Sequence, residues 1–595
     1  MTDKSPDAKT TRKPDITRRD VLRGAGAATA ALGVVSLGAC QDESGAGPAI
    51  KWDHEADMVL VGTGVGAGTA ALVAREKGDS VVMVEKAPVF GGTSAKTVGV
   101  LWIPNNFSLR EKGIKDSKED CLRYLARYSY PERYSAQAPR LGLDEHGYSL
   151  LEAFYDNASK ATDLLRDSGA MNLAEWRMFH LDRPATDYLD HVPENKVPAG
   201  RTLGTVGADG VMGTGVDMMG QLEAALRQRD TTILFQHSAD KLIVDETGRV
   251  IGLRAEQDGQ AVFLRARKGV IFGSGGYAHN LQVLASNQRN QFYGSCATPM
   301  ATGDFISIAG AVGARMGNMS SAWRSQVVLE QALENSKLAG GVFIPAGDSM
   351  FHVNRYGLRA VNEKRNYNDR TEVHGRYDSS RAEFPNQLMF MIYDQRSAEA
   401  FADIYPLPKK PGDARFIVQG NTLEELGANL QQRLDSLATA TGDFSLDPSF
   451  ADNLAQTLAT FNAYARTGED LDFQRGKATY DSEWHQAFSP MRTDTDWPVN
   501  DLPNITMYPL REEGPYYATI LAAGALDTNG GPVVDASARV LDVANKPIPG
   551  LYGAGNCIAS PSRDAYWGAG CPLGLSLTYG YIAANAAHLE QYEET

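Results

Sequence analysis

At 595 residues the chain is too long for one compact core and is expected to fold as two or more domains. Its 43% hydrophobic and 22% charged residues are those of an ordinary globular protein, and a formal net charge of −15 argues against nucleic acid or an anionic membrane surface as the main partner. Beyond the first fifty residues there is no basic stripe, heptad repeat or low-complexity tract. There is no Cys-x-x-Cys-His for covalent haem and no His/Cys cluster at zinc spacing, so no metal is expected.

The N-terminus is a different material. "TRRDVLRGAGAATAALGVVSLGAC" carries the paired Arg18 and Arg19, then Leu22, then an uncharged Gly/Ala-rich run from Gly24 to Ala39. The run is too short to span a bilayer comfortably. It reads as a twin-arginine export signal over residues 1–40. Leu37-Gly38-Ala39-Cys40 resembles a lipobox, in which Cys40 would be lipidated, become the new N-terminus and attach the protein to a membrane. Removing residues 1–39 takes away seven Lys/Arg and four Asp and leaves a net charge of −18. The expected location is periplasmic or membrane-anchored. This export route carries folded proteins, which suits a protein that binds its cofactor before export. Cys121, Cys296, Cys557 and Cys571 read as small buried hydrophobes.

After a polar linker, 41–54, comes "ADMVLVGTGVGAGTAALVAREKGDSVVMVEKAPVFGG". Ala56–Val61 is an apolar strand. Gly62-Thr63-Gly64-Val65-Gly66-Ala67 is G-x-G-x-x-A. Ala70, Ala71, Val73 and Ala74 give a helical stripe that ends at Gly78, and Ser80–Val84 is a second strand. Glu85 follows Gly64 by 21 residues. This is the full strand–turn–helix–strand–acid unit of a dinucleotide site. Gly62 makes the tight turn, Gly64 lets the backbone approach a pyrophosphate, and Ala67 lets the helix pack on the strand. The helix N-terminus faces the phosphates, and Glu85 can accept hydrogen bonds from ribose hydroxyls.

The loop after Glu85 and Lys86 carries Gly91-Gly92-Thr93-Ser94, small residues and hydroxyls for a second close approach to a cofactor. "KLIVDETGRVIGLRA" reads as a hairpin turning at Thr247-Gly248. "KGVIFGSGGYAHN" is a strand with a Gly-rich turn, "ATGDFISIAGAVGA" puts Asp304 at the head of a small-residue helix, and "IPGLYGAGN" is one more strand and Gly turn. Gly-rich turns so far apart imply a domain assembled from both ends of the chain. The expected fold class is α/β with an α+β insert: a Rossmann-like domain over 55–281 and 515–595, and an inserted substrate domain over 282–514. Two amphipathic helices in the insert, "LEELGANLQQRLDSLATATG" and "LAQTLATFNAYARTGED", are read as scaffold or lid.

These residues resemble the fumarate reductase/succinate dehydrogenase flavoprotein superfamily, and "VEKAPVFGGTSA…LWIPNN" within it is similar to the 3-ketosteroid Δ1-dehydrogenases. The likeness spans roughly residues 55 to 590. It implies non-covalent FAD, held by Gly62, Gly64, Ala67, Glu85, Lys86, Gly92, Thr93, Ser94, Ala239, Gly275, Asp304, Gly555, Asn556, Ser576 and Leu577. "HVNRYGLRAVNEKRNYNDR" resembles the superfamily element in which a fumarate reductase carries a proton-delivering Arg four residues after the Glu. Here that place is Tyr367, and in the ketosteroid dehydrogenases a tyrosine there abstracts the C2 proton. Arg365 and Arg370 lie close by in sequence. "SRDAYWGAGCPLG" resembles the family turn whose ends, Tyr566 and Gly570, would hold the C3 carbonyl oxygen. "PATDYLDHVPE" resembles a loop that makes Tyr188 the third tyrosine, bonded to Tyr367. Trp567 and Ala569 stand where the family turn has prolines, and Trp567 is bulky enough to reshape the cleft. The helix from Leu573 to Tyr581 would aim its positive end at the flavin pyrimidine.

The implied activity is desaturation beside the carbonyl of a 3-ketosteroid or similar cyclic ketone. Tyr367 would take the proton, flavin N5 the hydride, and an external quinone or cytochrome the electrons. The alternatives are an exported enoate or enone reductase of the fumarate reductase type, and a non-catalytic flavoprotein.

Overall fold

The computed structural model describes residues 50–410 and 415–591; the leader and Cys40 lie outside them. The first strand, His54–Val61, shows why the sheet forms where it does. Met58, Val59 and Leu60 are fully buried, a continuous apolar run of the kind that lies at the centre of a parallel sheet, covered on both faces. It pairs in parallel with Val81–Glu85 on one side and with Gln260–Phe272 on the other. Thr232–Phe235 extends the first neighbour and Pro547–Gly553 the second, both in parallel. The hairpin Ser238–Val244/Val250–Gln257 turns at Gly248 and leans antiparallel on Gln260–Phe272. A strand from the last fifty residues thus lies in the same sheet as the first strand, and the molecule is α/β as expected.

Two helices lock the ends of the chain together. Val65–Glu76 follows the first Gly turn, and Cys571–His588 crosses it. They touch backbone to backbone: a Cβ at Gly580 would stand 2.1 Å from the Gly66 carbonyl oxygen, and one at Gly66 would stand 3.0 Å from the Ser576 carbonyl.

A second, five-stranded antiparallel sheet is built from Ala322–Val328, Met350–Val353, Leu388–Asp394, Ile417–Gly420 and Tyr516–Thr528. The helices Leu423–Ser436 and Phe450–Thr467 contribute Leu430, Leu434, Leu454 and Phe461 to a core with Phe351 and Phe390 of this sheet. Tyr516–Thr528 lies beyond the 514/515 boundary drawn from the sequence, yet three strands of the second sheet pair on it. Near the end of that strand Leu526 and Asp527, the latter still paired with Trp323, lie in the wall of the cavity described below. Cys121, Cys296, Cys557 and Cys571 are buried and unpaired.

Placing a branched side chain between the two locked helices forces them apart. Gly580→Val is expected to lower stability by roughly 3 kcal/mol, seen as a clear fall in Tm; an unchanged Tm would contradict the close approach.

Candidate active site

The Gly turns and the two sheets enclose one large cavity, with about 2030 Å³ of empty space counting its open mouth. Its two ends differ in character: Gly turns line one and tyrosines the other.

One end is lined by Gly62, Gly64, Glu85, Lys86, Gly92, Thr93, Ser94, Ala239, Gly275, Asp304, Gly555, Asn556 and Ser576. Gly62 has φ 96°, and a Cβ there would stand 2.6 Å from the Gly273 carbonyl oxygen. The helix Val65–Glu76 has no acidic residue in its first turn and no side-chain cap; the Val65 N–H donates to Ser94 Oγ at 3.1 Å. Its positive end therefore opens on the cavity, as an anionic pyrophosphate requires. Glu85 is held by Thr63 Oγ1 at 2.7 Å and the Ala87 N–H at 2.8 Å. Each carboxylate oxygen keeps acceptor capacity for a ribose hydroxyl. Lys86 pairs with Asp304 at 2.9 Å and donates to Thr302 Oγ1. Two residues expected at the cofactor do not line the cavity. Ala67 packs under the Gly273 turn, where a Cβ on Gly273 would stand 2.9 Å from its own Cβ; Leu577 is fully buried in the main core.

The other end carries Tyr188, Tyr367, Tyr566 and Gly570. Tyr367 opens the short helix Tyr367–Thr371, capped by the Asn366 side chain. The Tyr188 hydroxyl donates to the Tyr367 hydroxyl at 2.9 Å. Ring centroids are 5.6 Å apart for Tyr188 and Tyr367, 5.0 Å for Tyr188 and Tyr566, and 5.4 Å for Tyr367 and Tyr566. All three rings are buried. Burial pushes each phenol well above its ordinary range; charge on a neighbouring tyrosine raises each further, while the Tyr367 hydrogen bond lowers Tyr188 and the Tyr566 hydrogen bond lowers Tyr367. Gly570, at φ 87°, starts the helix Cys571–His588; a Cβ there would stand 2.4 Å from the Val100 carbonyl. That helix also lacks a side-chain cap and a first-turn acid, and its first turn lines the cavity.

The two nearby arginines do not line the cavity. Arg365 pairs with Asp481 at 2.9 Å and donates to the Tyr188 carbonyl. Arg370 is buried and donates to Gln326 Oε1 and to the carbonyls of Glu363 and Arg365. Trp567, expected to reshape the cleft, points the other way. It is fully buried against Trp102 and Phe154, donates to Ser129 Oγ at 3.0 Å, and is absent from the cavity wall.

The structure adds wall residues that motif reading missed: Trp176, Trp323, Phe343, Trp484, Phe488 and Asp527. Trp323 Nε1 donates to Asn556 Oδ1 at 2.9 Å, and Asn556 Nδ2 donates to Asp527 at 3.0 Å. Trp323 also meets Tyr566 edge-on at 5.3 Å, so this chain of contacts links both ends of the cavity. Burial raises the Asp527 carboxyl to about 6. Tyr480, Trp484 and Phe488 recur every four residues, an aromatic stripe readable in the sequence.

The sequence matches the family described as FAD binding domain over residues 57–573. The chain belongs to this family. It is a flavoprotein oxidoreductase whose cofactor is FAD, and the Gly turns, helix end and Glu85 fit that group. It is 30% identical over 560 residues to the 4-oxocyclohexanecarboxylate 2-dehydrogenase of Sinomonas cyclohexanicum, covering 89% of this chain and 92% of that one. It is 29% identical over 592 residues to the 3-oxosteroid 1-dehydrogenase of Mycolicibacterium smegmatis, covering 89% and 97%. Among solved structures it is similar to the 3-ketosteroid delta1-dehydrogenase from Sterolibacterium denitrificans in complex with 1,4-androstadiene-3,17-dione. There the TM-score is 0.72 and the identity 26%, over 90% of this chain and 100% of that one.

If Glu85 holds the ribose of FAD by its charge, Glu85→Gln should raise the FAD dissociation constant about tenfold, the loss of one charge-assisted hydrogen bond. Fluorescence of released flavin measures this; an unchanged constant would remove Glu85 from the cofactor site.

Proposed function

We propose that this FAD enzyme introduces a C=C bond beside the carbonyl of a 3-ketosteroid, by 1,2-desaturation, or of a similar cyclic ketone. The observation that carries the reading is the hydrogen-bonded Tyr188–Tyr367 pair. It sits in a buried aromatic pocket with Tyr566 and the helix start at Gly570, in the same cavity as the FAD residues. The names of the relatives above support the reaction class.

The roles follow from chemistry. A C–H beside a ketone is weakly acidic. The Tyr566 hydroxyl and the Gly570 N–H, at the positive end of an uncapped helix, hold the carbonyl oxygen and stabilise the enolate that develops. Tyr367 receives the proton from the α-carbon, and Tyr188 shares its charge. FAD, when bound, accepts the hydride from the β-carbon. Buried aromatic walls exclude water from this step.

The reductase alternative needs a cation that delivers a proton to the substrate. The place four residues after Glu363 is Tyr367, and Arg365 and Arg370 are engaged away from the cavity. The leader supports export by the twin-arginine route with Cys40 lipidated, and a quinone or cytochrome is the electron acceptor in this reading.

Anaerobic mixing of the oxidised protein with androst-4-ene-3,17-dione should bleach the flavin band and form the 1,4-diene. Tyr367→Phe should slow bleaching by about 10²–10⁴-fold, the usual contribution of a positioned base. Fast reoxidation of the reduced protein by an enoate, with no bleaching by any cyclic ketone, would favour the reductase. The pH profile carries a second expectation. Because burial holds the phenols above their ordinary range, the bleaching rate should still be rising at pH about 10, the free tyrosine value. Tyr188→Phe removes the hydroxyl that donates to Tyr367, so the neutral-pH rate should fall. A flat profile in both proteins would remove the pair from the proton step.

A further inference from the structure

The cavity wall does not end at the tyrosines. From Tyr188 a line of aromatic rings runs outward through the helix Thr479–Phe488. Tyr188 meets Trp484 edge-on at 5.5 Å, Trp484 stacks on Phe488 at 5.1 Å and 7°, and Phe488 meets Phe179 edge-on at 4.9 Å. Trp176 backs the line, 6.1 Å from Trp484 and 5.5 Å from Phe179. Trp176, Trp484 and Phe488 line the cavity, while Phe179 is 51% exposed. Three successive ring spacings therefore separate the ketone-holding end from solvent. That is a longer apolar face than one six-membered ring can cover.

The wall is fixed and uncharged. The acids of its helix face elsewhere: Asp481 binds Arg365 and Asn362, and Glu483 binds Arg183 and Thr186. The Tyr480 N–H donates to Asp190, and the Trp484 indole N–H to the Thr186 carbonyl. Four of these contacts reach residues 183–190, the stretch that carries Tyr188, so wall and tyrosine are held as one piece. Among the described residues, the lysines and arginines that line the cavity are Lys86, bound to Asp304, and Lys96, bound to the carbonyls of Ala297 and Leu338. Neither belongs to the aromatic wall.

We infer that Trp484 and Phe488, backed by Trp176, are the specificity-determining residues of this enzyme and select ketones with a flat, apolar polycyclic body. One ring is held at Tyr566 and Gly570 and the distal rings lie along the wall. A monocyclic ketone with a carboxylate opposite its carbonyl leaves the wall unused and finds no cation on it. The inference rests on the reading under Proposed function and narrows its substrate to the polycyclic class.

The test compares two ketones on the FAD-loaded protein: androst-4-ene-3,17-dione and 4-oxocyclohexanecarboxylate. The wild-type protein should bind and bleach with the tetracyclic ketone at concentrations at least tenfold lower. Trp484→Ala and Phe488→Ala should each raise the KM for the tetracyclic ketone roughly 10- to 30-fold, as loss of a buried aromatic anchor does, with the saturating bleaching rate within about threefold. Trp484→Phe should restore most of the affinity. The monocyclic KM should change less than twofold. Equal losses for both ketones, or no loss for the tetracyclic one, would overturn the inference. Binding of 1,4-androstadiene-3,17-dione, followed by the flavin difference spectrum without turnover, separates the two claims. If no ketone bleaches the flavin but this binding still depends on Trp484, the desaturation reading fails and the wall stands.

Discussion

The Tyr188 hydroxyl reaches Tyr367 because the loop that carries it is fixed to a buried guanidinium. Arg201 is fully buried between Asp116 and Asp187, with contacts of 2.7 and 2.6 Å, and also donates to Asn195 Oδ1. Asp187 precedes Tyr188 in the chain and accepts the Trp102 indole N–H at 2.7 Å. The Tyr188 N–H then donates to the carbonyl of Trp567, the residue after Tyr566. Two acids and one cation buried together are costly to separate, since removing one partner leaves an uncompensated charge worth about 3–5 kcal/mol. That penalty holds one tyrosine against the turn that carries another. Trp567, buried below the cavity floor, is part of the same anchor.

The rest of the site inherits its geometry from chain topology. The Gly turn after the first strand, the Gly555–Asn556 turn and the helix that begins at Gly570 come from opposite ends of the sequence. The backbone contact between Gly66 and Gly580 brings them together. The second sheet delivers Asp527 by its central strand; Tyr367, Trp484 and Phe488 come from later in the chain than Trp176 and Tyr188, which share the same cavity. Phosphate recognition uses helix ends, which are strong because aligned peptide dipoles and open N–H groups act together. In the proposed reaction the carbonyl is held by a phenol in a dry pocket, where each hydrogen bond counts for more than in water.

The sequence reveals those parts whose chemistry is local. G-x-G-x-x-A with Glu85 can be read directly, because turn, helix start and acid fall within one strand–helix–strand unit. Tyr367 can be read from its distance to Glu363 within one resembling element, and its hydrogen bond to Tyr188, 179 residues away, is present. Side-chain direction could not be read. Trp567 and Tyr566 are neighbours in one turn, yet one ring enters the cavity and the other the core. Ala67 and Leu577 lie outside the cavity wall: Ala67 packs under the Gly273 turn, as its small side chain implies, and Leu577 is turned into the core. Asp527 carries no motif, and its place follows from a strand that runs from the second sheet to the Gly turns. Trp484 and Phe488 left a trace, the four-residue aromatic spacing, but such stripes more often mark packing faces than site walls.

The central claim is that the buried tyrosine pair removes the proton beside the carbonyl. The direct measurement is the deuterium isotope effect on flavin bleaching in a single turnover, with the ketone deuterated at the carbon that loses the proton. The account predicts a normal effect in the wild-type protein and a larger one in Tyr188→Phe, where proton removal becomes more limiting. A slow Tyr188→Phe variant with no isotope effect would mean that the pair acts on some other step.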